Sequence, residues 1–287
     1  MMKHANLGMR NMPDEQIWSH DFVGFKMVLD KTDLDFSRQV KFLGNYSTES
    51  FETKIFESQL KSGMRVLDLG ANIGFYTLLA SSKIGNSGRV FAFEPSPKNL
   101  KLINLSLKEN SFSNVTVIDA AISDFVGKSF LHLSPYYNSE HSLFNYHYSS
   151  GKYHTLDKIM INVTTVDQTL SDVGDHTVDL IKMDIEGSES KALKGMQKTI
   201  EKNEHMILIT EFWPKGFENA NSEPGDFLNE LSTFGFKLHH IDEIKEQVYP
   251  VTVNEMEDIM KNRTSTLVDK NKAIQAGGWY TNLLCLK

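Results

Sequence analysis

The sequence predicts an α/β fold, a mostly parallel sheet with helices on both faces, and three observations predict it. Apolar runs of strand length alternate with helix-period segments along most of the 287 residues. The first core run passes directly into a glycine turn and a helix start, "VLDLGANIGFYTLLA". An acidic residue, Glu94, closes the next run about 20 residues later, where open α/β sheets place a ligand-holding carboxylate.

In chain order, residues 1–60 precede the first core strand and read as an N-terminal cap or extension, with "ESFETKIFESQLKSG" as a helix leading out of it. A homodimer contact is one use for such a segment. Residues 61–287 form the main domain. Its strands are "MRVLDLG", "GRVFAFEP", "NVTVIDA", "VDLIKMDIEG" and "HMILITEFW", each apolar on both faces, as a covered parallel sheet requires. Between them "FYTLLASSKIG", "SPKNLKLINLSLKEN", "SESKALKGMQKTIEKN" and "EPGDFLNELSTFG" carry helical periodicity. The repeated β-α-β order makes the strands parallel, because crossovers are right-handed and sequential strands tend to be neighbours. "FKLHHID" and "GGWYTNLLCLK" add two strands, the last expected as an antiparallel edge. Residues 123–166 are too long for a simple connection and read as strand pieces around an exposed loop.

Composition narrows the function. Hydrophobic residues make up 40% and charged residues 23%, which is ordinary for a folded globular chain. The formal charge of −7 argues against a nucleic-acid partner, whose binding rests on Lys and Arg. No run approaches the roughly 20 apolar residues of a membrane span. The first thirty residues carry no sustained apolar stretch, so a cytoplasmic location is expected. Cys285 is the only cysteine, which excludes an intrachain disulfide and a cysteine-based zinc site.

The glycine turn departs from the dinucleotide fingerprint, since Asn72 stands where the second glycine of that pattern belongs. This weakens a pyrophosphate ligand and, with it, a nicotinamide-dependent dehydrogenase. Asp68 suits a positive charge better than phosphate oxygens, and Glu94 can accept bonds from ribose hydroxyls. Adenosine joined to a cation, as in S-adenosylmethionine, satisfies both acids.

The set "DLGANIGFYT", "FEPSP", "IDAAISD", "SEHSLF", "MDIEGSESKALKG", "TEFWP" and "NLLCLK" resembles the FkbM-like family of class I S-adenosylmethionine-dependent methyltransferases over roughly residues 45–287. The resemblance implies a Rossmann-like, seven-stranded, mostly parallel sheet, and methyl transfer, often to an oxygen on a sugar or small metabolite. Carried over by position, Asp68, Gly70, Asn72 and Gly74 cradle the methionine end, Glu94 holds the ribose, and Asp119 and Ala120 lie against the adenine; Ala71, Phe75, Tyr76, Thr77 and Pro95 complete the expected cofactor-binding set.

A hydroxyl acceptor needs a base near the transferred methyl, or a metal that lowers its pKa. Asp184 closes the fourth strand and is expected at both cofactor and acceptor; Glu211 closes the fifth, and Glu186 lies beside Asp184. All three are expected in one crevice, an arrangement that suits Mg²⁺ or Ca²⁺ if a metal takes part. His141, in the insertion, is the histidine best placed to act as base. Phe130, Tyr136, Tyr137, Phe144, Tyr146, Tyr148 and Tyr153 gather in the same insertion as a lid or a half-buried hairpin, and Trp213 is a second candidate wall for the acceptor. O-methylation leads, N-methylation of a small molecule is second, and a non-catalytic cofactor-binding partner is the reading from another class.

Overall fold

The computed structural model describes residues 16–34, 36–44, 50–134, 138–145, 157–267 and 279–287. The strands are β1 (Ile17–Phe22), β2 (Phe25–Asp30), β3 (Arg65–Leu69), β4 (Arg89–Phe93), β5 (Val115–Ile118), β6 (Ala121–Ile122), β7 (Gly127–His132), β8 (Lys158–Thr164), β9 (Leu180–Met183), β10 (Ile207–Phe212), β11 (Lys237–Asp242), β12 (Gln247–Pro250) and β13 (Thr281–Leu286). The helices are α1 (Phe36–Leu43), α2 (Ser50–Gln59), α3 (Phe75–Ile84), α4 (Pro97–Asn110), α5 (Val166–Val173), α6 (Glu189–Lys194), α7 (Gln197–Lys202), α8 (Pro214–Asn219), α9 (Pro224–Thr233) and α10 (Val253–Leu267).

The main sheet runs β12-β11-β13-β10-β9-β3-β4-β5. Strands β5, β4, β3, β9 and β10 pair in parallel, and β13 enters antiparallel to β10. Alternation along the strands splits the core into two layers. Leu67, Leu69, Phe91, Phe93, Ile181, Met183 and Leu208 bury on one face; Val66, Val90, Leu180 and Ile209 bury on the other. All seven strands expected from the sequence are present, and β12 adds an eighth through an antiparallel pairing with β11.

Two local expectations are corrected. The final strand is antiparallel but interior, lying between β10 and β11, and the edge belongs to β12. Residues 285 to 283 are buried to a few percent, which an edge position would not achieve. The segment expected as one helix over 188–203 is two, α6 and α7, broken at Gly195. A Cβ there would lie 2.1 Å from the Ser123 carbonyl oxygen, so only glycine allows this close approach to the backbone just after β6.

Met27, Leu29, Phe36, Val40 and Phe56, all from before residue 61, share one buried layer with Val66, Leu78 and Val90. The β1–β2 hairpin is tied to α4: Asn110 Oδ1 accepts from the Lys26 N–H at 2.7 Å, and Ser106 Oγ accepts from the Val28 N–H at 2.9 Å. The insertion forms a small sheet ordered β6-β8-β7, in which β7 and β8 are antiparallel. Among the described residues, no helix is long and apolar enough to cross a membrane.

Candidate active site

The turn from β3 to α3 is built from left-handed residues: Gly70 at φ +86°, Asn72 at φ +50° and Gly74 at φ +96°. Asparagine tolerates that region better than other side-chain-bearing residues, which explains how it replaces a glycine here. The turn is pulled beneath the end of β4, with the Gly70 and Ala71 N–H groups both donating to the Phe93 carbonyl at 3.1 and 2.9 Å. Glu94 completes this clamp. Its Oε2 accepts from the Asn72 N–H at 2.9 Å, and its Oε1 accepts from the Ser96 N–H at 2.8 Å and the Asn99 amide at 3.3 Å. The Asn99 amide also donates to Asn72 Oδ1 at 3.1 Å. Burial raises the Glu94 carboxyl to about 8, against the pull of these donors.

Asp68 lies one layer deeper, where its Oδ2 accepts from Thr77 Oγ1, locking β3 to the first turn of α3. Burial raises it to about 6. Phe75 turns away from the turn into an aromatic cluster with Phe22, Phe25 and Phe36.

Beyond β9 the chain makes a second tight turn, with Glu186 at φ +53° and Gly187 at φ +88°. Glu189 Oε1 braces it by accepting from the Ile185 N–H at 3.1 Å and the Gly187 N–H at 3.4 Å. Burial raises Glu189 to about 7. Behind Asp184 lies a charge cluster that the sequence reading did not single out. The fully buried Lys182 ammonium sits 3.2 Å from Asp184 Oδ2 and 3.2 Å from Glu52 Oε1, with Glu52 supplied by α2. The Tyr76 hydroxyl donates to Glu52 Oε2 at 2.9 Å, and the Tyr76 ring lies 5.0 Å from Lys182 Nζ. Burial raises the Glu52 carboxyl, and Lys182 draws it back down.

The described part of the insertion packs against these strand ends. Ser142 Oγ donates to the Glu186 carbonyl at 3.0 Å, and residues 132 and 142 form an antiparallel bridge. His141 Nδ1 accepts from the Ser134 N–H at 3.1 Å. Burial, and secondarily the charge of Lys98, lower the His141 ring to about 4. The neutral ring therefore carries its proton on Nε2 and offers a donor there, not the lone pair that a base needs.

Together these parts wall a crevice. Gly70, Asn72, Phe93, Glu94, Pro95, Ala120, Ala121, Ile122, Leu131, Ser139, His141, Leu143, Asp184, Ile185, Glu186 and Ser188 line it, around about 520 Å³ of space counted out to its open mouth. Of the residues expected from the sequence, it brings together Gly70, Asn72, Glu94, Pro95, Ala120, Asp184, Glu186 and His141. Asp68, Ala71, Gly74, Phe75, Tyr76 and Thr77 lie behind the wall as its support, and the Asp119 side chain is exposed. Glu211 is not in the lining; it pairs across β10 and β13 with Asn282. No group of three His, Cys, Asp or Glu side chains able to hold a metal occurs among the described residues. Trp213 is largely buried and outside the lining. Phe130 is exposed on β7, and the Phe144 ring lies 4.9 Å from Lys191 Nζ. Tyr136, Tyr137, Tyr146, Tyr148 and Tyr153 lie outside the described residues.

Two of the unanticipated residues left a trace in the sequence. Lys182 is the lone charge inside the apolar run "LIKM", and Glu52 shares the buried face of α2 with Phe56, four residues on.

The methyltransferase FkbM domain matches residues 68–249. Methyltransferase 1 of Beauveria bassiana (strain ARSEF 2860) is 27% identical over 157 residues, covering 50% of this chain and 61% of that protein. Methyltransferase sdnD of Sordaria araneosa is 27% identical over 192 residues, covering 58% of this chain and 71% of its own length. The crystal structure of methyltransferase FkbM from Methylobacillus flagellatus KT aligns with a TM-score of 0.40 at 20% identity, over 63% of this chain and 40% of that one. The chain thus spans less than two thirds of the first of these relatives and less than half of the solved FkbM structure.

Proposed function

The chain belongs to the methyltransferase FkbM domain family, and from that premise we propose that it transfers a methyl group from S-adenosylmethionine to a hydroxyl on a saccharide or similar small metabolite. One observation carries this reading most directly. Among the described residues the crevice is lined by three acids, Glu94, Asp184 and Glu186, beside an apolar wall of Phe93, Pro95, Ala120, Ile122 and Leu143, and none of the lining residues is Lys or Arg. That wall suits a flat purine, and a lining of acids without a basic residue suits a sulfonium and an ammonium while opposing a diphosphate.

When bound, the cofactor supplies an electrophilic methyl on a sulfonium. The residues of the chain hold and orient. Glu94 retains acceptor capacity beyond its contacts to Asn72, Ser96 and Asn99, and this is available to the ribose hydroxyls. Asn72 and Gly70 bring the turn backbone up to the methionine end. Asp184 faces the crevice from the end of β9, where its carboxylate can offset the cation or take the acceptor's proton. His141, fixed as a donor at Nε2, holds an oxygen atom and leaves proton removal to the carboxylates. Ser142, anchored to the Glu186 carbonyl, keeps the insertion over the site and water out of it. Glu211 is assigned to the acceptor side on its place at the end of β10.

The reading is tested by titrating the protein with S-adenosylmethionine, its demethylated product and NAD, then screening sugars, lipids and phenols for a methyl gain by mass spectrometry. Binding of NAD without either sulfur ligand overturns it. With an acceptor in hand, Asp184→Asn is expected to lower kcat by about a hundredfold or more, and Glu211→Gln by less. EDTA is expected to leave turnover unchanged; a loss restored by Mg²⁺ or Ca²⁺ would instead establish a metal-assisted route.

A further inference from the structure

Lys182 has two carboxylates at equal distance, Glu52 Oε1 and Asp184 Oδ2, both at 3.2 Å. Only one of the three groups reaches the crevice: the Asp184 side chain is 29% exposed, whereas Lys182 and Glu52 are at 1% and 0%. Lys182 is locked in the centre of the sheet, paired in register with Asp68 on β3 and Ile209 on β10. Glu52 is held as firmly. Its Oε2 accepts from Tyr76, and its own N–H and that of Phe51 donate to Glu243, beyond β11, which caps α2. Glu52 also lies ahead of residue 68, where the family match begins, so this chain supplies it from its own N-terminal helix.

A lysine paired with Asp184 alone would cancel the charge that Asp184 shows to a cationic ligand. With Glu52 as a second partner, Lys182 no longer cancels Asp184 alone, and of the three groups only Asp184 is exposed to the crevice; Asp68, paired with Lys182 on the neighbouring strand, also feels the ammonium. We infer that Glu52 is a positioning residue for the cofactor site: by sharing Lys182, it keeps Asp184 electrostatically available to the sulfonium of S-adenosylmethionine. This rests on the reading of the crevice as an S-adenosylmethionine site and deepens it.

Two probes that differ by the sulfonium charge separate this role from a merely structural one. S-adenosylmethionine and S-adenosylhomocysteine are titrated calorimetrically into the full chain and its variants. Glu52→Gln is expected to reduce the preference for S-adenosylmethionine over S-adenosylhomocysteine about tenfold, with S-adenosylhomocysteine affinity changing less than about threefold. The double variant Glu52→Gln/Lys182→Met, which removes one charge of each sign, is expected to return the preference to within about twofold of the parent. If Glu52→Gln does not fold, Glu52→Asp carries the test, with the carboxylate withdrawn by one methylene and a drop of about threefold expected. An unchanged preference in the folded variants, or equal weakening of both ligands, overturns the inference while leaving the cofactor reading intact. If the parent binds neither ligand, the cofactor reading fails, and this inference fails with it.

Discussion

Gly70→Ala is expected to weaken S-adenosylmethionine binding by about a hundredfold or more and to lower the melting temperature by roughly 10 °C. A Cβ at this position would lie 1.9 Å from the Asp184 carbonyl oxygen and 3.0 Å from both the Asp184 carbonyl carbon and Ile185 Cγ2. The first contact is with backbone, so no rotamer change relieves it. The residue also sits at φ +86°, where an alanine costs about 1–2 kcal/mol before any clash. To make room, the end of β9 must move away from the turn, and both elements wall the crevice. Gly174→Ala is the control. It too has positive φ, +67°, but nothing lies within 4 Å of its Cβ position, so it is expected to lose only about 1 kcal/mol and no affinity. Calorimetric titration with a thermal melt reads both effects, and a folded Gly70→Ala protein binding within threefold of the parent would contradict the account.

The ligand-free protein is expected to lose stability as pH rises from about 6.5 to 8. Three buried carboxyls hold their protons unusually tightly in the folded chain: Asp68 at about 6, Glu189 at about 7 and Glu94 at about 8, against ordinary values near 4. A group whose pKa is raised by folding favours the folded state fully below its unfolded value, and that contribution is lost as pH climbs through the folded value. For these carboxyls the window opens just above pH 4 and closes near pH 8; His141, lowered to about 4, contributes with the opposite sign up to about pH 6.5, so the net loss reads above that point. For Glu94 alone, the rise from 4.5 to about 8 corresponds to roughly 5 kcal/mol. The set together costs at least as much as Glu94 alone, about 5 kcal/mol or more, which is a fall in melting temperature of roughly 10 °C for a chain of this size. Glu94→Gln should flatten the upper part of this slope. S-adenosylmethionine, by offering hydroxyl donors and positive charge, should bind more tightly over the same range and reduce the slope. Melting curves across pH, with and without ligand, check both statements, and a melting temperature that rises from about pH 6.5 to 8 would refute them.

The placement of Glu94 shows how far local reasoning reaches. A strand, a turn of left-handed residues and an acid one strand later are short-range features, written in periodicity and in the need for glycine or asparagine at positive φ. The crevice brings together Gly70, Asn72, Glu94 and Asp184, to which these features pointed, with Pro95 and Ala120, which the family resemblance implied. The sequence did not show that Glu94 spends much of its capacity gripping the turn itself, because that depends on how closely β4 approaches Asn72 in three dimensions.

His141 and Glu211 mark the opposite limit. Sequence put both near the chemistry, yet the tautomer of His141 is set by one backbone N–H, from Ser134, and the position of Glu211 by pairing with β13, a strand that closes the chain and inserts into the interior of the sheet. Lys182 and Glu52 lie further still from what a linear reading can pair.

What the sequence determined alone was the alternation of elements, the covered parallel sheet, the turn of left-handed residues and the acids at the strand ends, since each follows from the backbone preferences and hydrophobic period of a few neighbouring residues. Only the tertiary structure decided which acids face the crevice and which support it, where the last strand enters, and which distant carboxylate shares the buried lysine. Those outcomes depend on contacts between segments far apart in the chain, where burial and charge are set by whatever packs alongside.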